Sequence, residues 1–166
     1  MTISSEAYRD ALRHFACGVT VVTIKAGGRI HGLTVSAFAS VSPDPPLIAV
    51  IIDQRHTAYA MLEQEGAVFA VNVLHESQTH LSNRFAWVKD QDRFQEGLWT
   101  TAVTGAPVLA NALAWMDCTV YGRYPAGTHT IYVGRVEASQ VPLPDEPPLV
   151  YWNRGYRQLK LWEEED

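Results

Sequence analysis

Hydroxyl side chains are concentrated in residues 32–46, GLTVSAFASVSPDPP, where they belong to Thr34, Ser36, Ser40 and Ser42. Alternate side chains of an extended chain share one face, so Thr34 and Ser36 are predicted to point together, with Val35 and Ala37 opposite. Small residues let a flat ligand approach the backbone, and hydroxyl and amide groups can hold its polar edge. The segment therefore predicts a binding surface. The alternative is a tight strand–loop–strand connection with hydroxyl groups saturating the turn.

Two further places have residue types suited to binding. Residues 53–57, DQRHT, follow the apolar run 47–52 and precede a predicted helix, so Arg55 and the first amides of that helix can meet an anion. The alternative there is a capped surface turn. In the second place, residues 127–129 (GTH) and 155–157 (GYR), His129 could orient or protonate a ligand because histidine titrates near neutrality. A structural role is the alternative for this histidine.

Several common kinds of site are not indicated by the sequence. It has no P-loop, GxGxxG, GxSxG or HExxH pattern. Cys17 and Cys118 have neither zinc-ligand nor disulfide spacing and are predicted to be buried free thiols. We therefore expect no metal site and no charged catalytic triad.

Composition indicates one ordinary globular domain over residues 1–166, because 47% of the residues are hydrophobic. The net charge of −5 argues against nucleic-acid binding by phosphate neutralisation. No apolar run is long enough to span a membrane, and charged residues interrupt the N-terminal segment where a signal peptide would be apolar. These points predict a cytoplasmic protein that binds neither nucleic acid nor membrane.

The pattern along the chain predicts a mainly β fold with a few peripheral helices. Helices are expected after Ser4 or Ser5 as far as Gly18, and at residues 57–65 and 76–86, with a loop or ragged helix at 89–97. Strands are expected at residues 19–25, 29–35, 47–52, 67–74, 114–124, 128–140 and 149–152. Short connections, including Gly27-Gly28, predict a largely antiparallel sheet that forms a closed or nearly closed barrel.

Five segments in order carry a family resemblance: FACGVTVVT (15–23), GLTVSAFASVSPDPPLI (32–48), SNRFA (82–86), AGTHTIYVGRV (126–136) and PLVYWNRGYRQL (148–159). Together they resemble the short-chain flavin reductases, which have an FMN-binding antiparallel split β-barrel. These are the reductase components of two-component flavin-dependent monooxygenases such as 4-hydroxyphenylacetate and phenol hydroxylases. The resemblance implies FMN or FAD as cofactor, NADH or NADPH as co-substrate, a homodimer, and a separate oxygenase partner.

The resemblance also implies a flavin site. The wall that lies along the isoalloxazine ring and the ribityl chain would consist of Thr34, Val35, Ser36 and Ala37. Ser40 and Val41 would face the ribityl–phosphate side. The wall would continue through Asp53, Gln54 and Arg55, with Arg55 as a phosphate partner. The pocket would be closed by Asn83, Arg84 and Phe85. In one arrangement, these residues would come from the dimer-related subunit.

On the co-substrate side, the resemblance implies that His129 lies near the nicotinamide and that Tyr156 and Arg157 lie near the flavin. Many relatives have GDH where this chain has Gly127-Thr128-His129, so a hydroxyl replaces a carboxylate beside the histidine. The predicted reaction is hydride transfer from nicotinamide C4 to flavin N5, with the reduced flavin passed to a monooxygenase.

Other functions fit the same barrel. A flavin-binding carrier or redox sensor without turnover is the main alternative, because one fold can host several functions. A pyridoxamine-phosphate oxidase relative fits the ordered segments less well. Abundant aromatic side chains suit a dimer interface, although all could instead belong to the core: Trp87, Trp99, Trp115 and Trp152.

Overall fold

The structure is a computed structural model that describes residues 2–160, without the side chains of residues 90 and 91. In this range three α-helices form, Ser5–Leu12 (α1), Thr57–Leu62 (α2) and Thr79–Trp87 (α3), together with 3₁₀ turns at Glu76–Gln78 and Asp90–Gln95. None of the helices of the described residues is long and apolar enough to cross a membrane.

The first helix is shorter than the sequence predicts. The Ser4 hydroxyl accepts a hydrogen bond from the Ala7 amide at 3.1 Å, which confirms the predicted cap. However, α1 ends at Leu12 rather than near Gly18, and none of its residues is buried. Tyr8 and Leu12 are about half exposed and Phe15 is 75% exposed. The apolar side of this segment therefore does not enter the core, which removes the packing that would extend the helix.

Strands dominate the described chain, and every pairing between them is antiparallel. In chain order they are β1 Cys17–Gly18, β2 Thr20–Ala26, β3 Arg29–Val35, β4 Phe38–Pro43, β5 Pro46–Asp53, β6 Val68–Val73, β7 Trp99–Thr101, β8 Pro107–Leu109, β9 Ala114–Ala126, β10 His129–Gln140, β11 Val150–Trp152 and β12 Gly155–Arg157. The mainly β, antiparallel fold class is thereby confirmed.

Seven of these strands form one sheet in the order β3-β2-β6-β9-β10-β5-β4, while β1-β11-β12 and β7-β8 form small separate sheets. The predicted hairpin between β2 and β3 turns at Gly27 and Gly28, which have φ of 53° and 77°. Because β3 and β4 remain as edges of the large sheet, backbone pairing leaves it open, which agrees with the split barrel expected above rather than with a fully closed one.

Hydrophobic side chains on both faces of the large sheet form two cores. On β2, Val22 and Ile24 belong to the first core with α2, whereas Val21 belongs to the second with α3 and β8. Alternate residues of a strand point to opposite faces, so the apolar run in β2 serves both cores. The sheet therefore has little solvent-exposed surface near β2, and the binding features lie towards β3, β4 and β5.

Five of the described strands were not predicted, β1, β4, β7, β8 and β12, and the longest of them is β4. The sequence indicates a proline-rich turn before residue 47, but β4 forms a hairpin with β5, with a bulge between Ser40 and Ser42. The segment is rich in Ala, Ser and Pro, which have low strand propensity, so local sequence gives little indication of a strand. Its place at the sheet edge explains why this composition is tolerated.

Candidate functional site

Three neighbouring cavities meet at Ser36, in the connection between β3 and β4. Their volumes are about 360, 310 and 320 Å³, and Ser36 lines all three. Small-molecule sites commonly occupy about 300–1,000 Å³, so each cavity is of relevant size. We call their combined lining the Ser36 groove, whose residues are Leu12, Phe15, Ala16, Cys17, Gly18, Val19, Thr20, Thr34, Ser36, Ala37, Phe38, Ala39, Ala49, Ile51, Val73, Ser82, Asn83, Ala86, Trp87, Tyr151, Arg154, Gly155 and Tyr156.

A chain of hydrogen bonds holds one wall of the groove together. The Thr34 hydroxyl donates to the Ser82 carbonyl at 2.6 Å, which ties β3 to α3. The Tyr156 hydroxyl lies 2.9 Å from both Ser82 Oγ and Asn83 Oδ1. A phenol has one proton, so Tyr156 donates to the amide oxygen and accepts from the serine hydroxyl. These contacts fix β12 against α3 with no charged group involved.

The turn between β3 and β4 lines the groove and contains backbone donors that have no acceptor among the described residues. Ser36 and Ala37 are both exposed, and within residues 2–160 their amide N–H groups donate to no protein acceptor. Their carbonyls, in contrast, accept from the Phe38 and Ile51 amides at 3.0 and 3.1 Å. The turn is therefore fixed in position while two adjacent N–H donors remain available to a ligand.

The predicted separation of alternate side chains holds for Thr34, Val35 and Ser36 but not for Ala37, which lines the groove with Ser36 because the strand ends at Val35. Thr34 and Ser36 line the largest cavity together. Val35 is 6% exposed and belongs to the first core, so its side chain lies away from the groove. Ala37 lines the cavity beside β4 and β5. Val35 can therefore contribute to a ligand site through its backbone rather than its side chain.

The outer face of β5 connects the groove with His129. Ile48, Val50 and Ile52 point into the first core, so the alternate residues Ile51 and Asp53 point the other way. Ile51 lines the groove, and Asp53 pairs with His129 across the strands. Two residues of strand span about 7 Å, so His129 lies roughly that far along the sheet from the groove wall.

Charged and polar groups surround His129. The Thr128 hydroxyl lies 2.9 Å from His129 Nδ1. Opposite it, Arg55 forms a two-pronged ion pair with Asp53, with its terminal nitrogen 2.6 Å from Oδ2. Hydrogen bonds from the Arg55 side chain and backbone hold the pKa of Asp53 well below its ordinary value, and His129 adds a smaller effect. Gln54 donates to the His129 carbonyl at 3.1 Å. We call residues 53–55 and 127–129 the His129 hairpin end.

The three arginines predicted to belong to the flavin site each contact another group of the protein. The Arg55 guanidinium binds Asp53, and its side chain is 88% exposed. Arg84 forms an ion pair with Glu96 at 2.8 Å and donates to backbone carbonyls of the 3₁₀ turn, so it organises that turn. Arg157 donates to the Tyr156 carbonyl at 2.7 Å and lies over the Trp152 ring. None of the three lines the Ser36 groove.

The remaining predicted site residues lie apart from the groove. Phe85 is 1% exposed and packs in the second core against Phe94 and Trp99, so it supports α3 from behind. Ser40 and Val41 are exposed on β4, where Ser40 is the last paired residue before the bulge and Val41 lies within it. Both lie outside the three cavities described for this chain.

Several groove residues were not singled out from the sequence. Ser82 follows the apolar Leu81 in a helix, where a serine has no distinguishing pattern. Cys17 was expected to be buried but is half-buried and lines two cavities, whereas Cys118 is buried as predicted. Burial raises the pKa of the Cys118 thiol to about 12. Trp87, one of the aromatics discussed above, is 83% exposed at the groove edge.

Arg154 is a further missed residue of the groove, and a signal for it exists. It occupies the second position of the two-residue turn between β11 and β12, a position that favours glycine.

Among the described residues, no group of three or more His, Cys, Asp or Glu side chains is placed to hold a metal ion. The groove thus combines small residues, backbone donors, aromatic edges and one arginine.

Comparison with known proteins gives a consistent result. The sequence model of the flavin reductase like domain matches residues 12–160. The reductase component of 4-hydroxyphenylacetate 3-monooxygenase from Thermus thermophilus is 43% identical over 158 residues, covering 95% of this chain and 97% of that protein. An NADH-dependent flavin reductase from a Rhodococcus species is 37% identical over 156 residues, covering 92% and 85% of the two chains.

Solved structures agree with the sequence comparisons. The crystal structure of a flavin reductase complexed with NADP⁺ has 30% sequence identity and a TM-score of 0.86, covering 94% of this chain and 98% of that one. The family match over residues 12–160 includes all the segments that form the Ser36 groove and the His129 hairpin end. This chain therefore belongs to the flavin reductase family, as the ordered sequence segments predict.

Proposed function

We propose that this protein is an NAD(P)H-dependent flavin reductase that supplies reduced flavin to a separate monooxygenase. The observation that carries this proposal is the Ser36 groove, where small side chains and two available amide donors line cavities of ligand size. Relatives named as reductase components and as NADH-dependent flavin reductases support it. The groove offers binding and orientation rather than a set of charged catalytic groups.

The residues present fit a flavin. The Ser36 and Ala37 amides can donate to the polar edge of a planar ring, and the small Ala37 and Ala39 side chains leave room for its face. Bound flavin would supply the redox chemistry, accepting hydride at N5. Amide donors aimed at the ring edge would stabilise negative charge there, because fixed dipoles need no reorganisation during reaction. The protein would thus contribute position and electrostatics.

His129 is proposed to bind the nicotinamide side. It lies on the same face of the sheet as Ile51, about two residues along the strands from the groove wall. Thr128 contacts Nδ1, which orients the imidazole in the role that a carboxylate has in the family pattern. Holding two rings in contact at about 3–3.5 Å would be the main contribution of this end to hydride transfer.

Assembly and partners form a second part of the proposal. We infer a homodimer that uses exposed aromatic surface beside the groove, where Phe15 is 75% and Trp87 83% exposed. Relatives that are components of two-component systems favour a separate oxygenase as the receiver of reduced flavin. Cytoplasmic location, one domain over residues 1–166, and the choice between FMN and FAD or NADH and NADPH stay predictions.

The deciding experiment is a turnover assay. Purified protein is mixed with FMN or FAD and with NADH or NADPH, and loss of the nicotinamide absorbance is followed. Consumption beyond one equivalent of flavin, with oxygen reoxidising the product, is expected with at least one pair. Flavin binding without consumption for all four pairs would instead favour the carrier or redox-sensor hypothesis.

A further inference from the structure

Arg154 is the one cation among the residues that line the largest cavity of the Ser36 groove. Within residues 2–160 its guanidinium makes no hydrogen bond and no ion pair. The other residues around this cavity are neutral, including Thr34, Asn83 and Tyr156. A residue whose side chain carries a fixed charge and five donors therefore lines a neutral cavity, and that side chain has no protein partner in the described chain.

The other arginines near the proposed site are already occupied, as described above for Arg55, Arg84 and Arg157. Binding an anion through any of these would require an existing contact to be given up. Arg154 would lose no such contact. Because guanidinium groups bind phosphate oxygens through parallel hydrogen bonds, Arg154 is better suited to a phosphate than Arg55, the phosphate partner predicted from the resemblance.

The backbone at Arg154 gives a second, independent observation. Asn153 and Arg154 have φ of 46° and 63° and form the two-residue turn between paired Trp152 and Gly155. Turns with two positive φ values favour Asn-Gly, because a Cβ atom is disfavoured in the left-handed region. This chain has the favoured Asn but an Arg in the glycine position. A local preference is thus overridden at a residue that lines the cavity.

We propose that Arg154 binds a phosphate group of a nucleotide ligand held in the Ser36 groove. The inference rests on the proposed function, which supplies two sources of that group: the 5′-phosphate of FMN and the pyrophosphate of the nicotinamide dinucleotide. Phosphate carries charge that this acidic chain, with net charge −5, must neutralise locally. The turn between β11 and β12 would then exist in its present form to place a guanidinium at the cavity.

The first test compares FMN with riboflavin, which lacks the phosphate. Both dissociation constants are measured by flavin fluorescence for the native protein and for Arg154→Gln. If Arg154 binds the phosphate of FMN, the dissociation constant of FMN rises about tenfold or more in Arg154→Gln, the range of a charge-assisted hydrogen bond, while the dissociation constant of riboflavin is unchanged. If Arg154 instead binds the pyrophosphate of the dinucleotide, the dissociation constant of FMN stays the same, and calorimetry shows that NAD⁺ binds more weakly by a similar factor. Either result supports the proposal.

A second variant separates binding from folding. Arg154→Gly removes the side chain and suits the positive φ, so its melting temperature is expected to rise while phosphate affinity falls as in Arg154→Gln. Arg29→Gln is the matched control, because Arg29 lies at the far end of β3, about 20 Å along the strand from Val35. This control is expected to leave the three dissociation constants unchanged.

The proposal is overturned if FMN, riboflavin and NAD⁺ bind to Arg154→Gln as tightly as to the native protein. It is also overturned if FMN and riboflavin weaken equally and NAD⁺ is unaffected, since that pattern shows a loss unrelated to phosphate. Failure of the proposed function is a separate result, because native protein would then bind flavin without consuming NAD(P)H.

Discussion

The Ser36 groove and the His129 hairpin end differ in how they are held. In the groove, neutral hydrogen bonds join β3, α3 and β12, and Ser82 in the middle of this network is 1% exposed. At the hairpin end, an exposed ion pair between Asp53 and Arg55 lies opposite the partly exposed His129. Buried neutral networks keep a fixed shape, whereas exposed ion pairs contribute little to stability and rearrange easily.

This difference suits two kinds of ligand contact. A groove of fixed shape can hold a planar ring through backbone donors and small side chains. A polar end next to it can admit and release a second ring during each turnover. Ile51 joins the two regions, since it lines the groove and lies two residues from Asp53 on β5. The changes below act on one region and leave the other as the reference.

The largest effect is expected from filling the groove. Ala37→Phe places a ring where Ala37 lines the cavity beside Ile51, and FMN affinity should fall about 10- to 100-fold, because overpacking costs about 1–3 kcal/mol. Flavin fluorescence measures the loss. Ser42→Ala is the control, since the Ser42 hydroxyl bonds the Asp44 carbonyl within the β4–β5 turn. A greater loss of FMN affinity in Ser42→Ala would contradict the assignment of the groove.

Removal of the imidazole tests the other region. His129→Ala should raise the Michaelis constant for NADH about two- to tenfold, the range for one lost hydrogen bond, while the FMN dissociation constant stays near the native value. Steady-state kinetics at saturating FMN give the first quantity and fluorescence the second. His80→Ala, an exposed histidine on α3, is the matched control. Unchanged NADH kinetics in His129→Ala would exclude the proposed role.

A smaller effect is expected from loosening the groove wall. Tyr156→Phe removes the hydroxyl that contacts Ser82 and Asn83, so the free energy of unfolding should fall by about 1 kcal/mol, as for one typical hydrogen bond. FMN affinity should weaken less than in Ala37→Phe, and NADH kinetics at saturating FMN should stay the same. Denaturant unfolding gives the stability, with the exposed Tyr121→Phe as control. Equal stability losses in both variants would argue against the wall network.

The strands that carry these regions were largely readable from the sequence. β2, β3, β6 and the long β9–β10 pair are rich in β-branched and aromatic residues and have clear turn signals at Gly27 and Gly127. β4 and the end of α1 were not predicted correctly. The edge position of β4 allows its strand, and the end of α1 follows from missing tertiary packing. Local sequence propensity indicates neither of these two features.

The site was readable in part. The hydroxyl and small residues of 34–37 indicate a surface because their spacing is local. The bonds from Thr34 and Tyr156 to Ser82 join positions 48 and 74 residues apart, so no local pattern contains them. The partner of Arg84 is likewise decided by the fold, because Glu96 lies twelve residues away, whereas Arg55 pairs with Asp53 only two residues before it. A motif indicates which residues are near a site, but the fold decides which charges remain available.

The smallest effect concerns the ion pair at the hairpin end. Arg55 holds the pKa of Asp53 below its unfolded value of about 3.9, so the carboxylate stabilises the fold above that pH and the contribution is lost as pH falls towards the folded-state pKa. Asp53→Asn should therefore unfold slightly more easily than native protein at pH 7, with the difference shrinking below about pH 4. Because the pair is exposed, the difference is expected to be small at all pH values and to decrease with added salt. Denaturant unfolding at pH 7 and pH 3 measures it, and Arg55→Gln should show the same convergence. A difference that persists unchanged at pH 3 would mean that Asp53 acts through packing, and the contrast between a neutral groove and a charged hairpin end would lose its electrostatic basis.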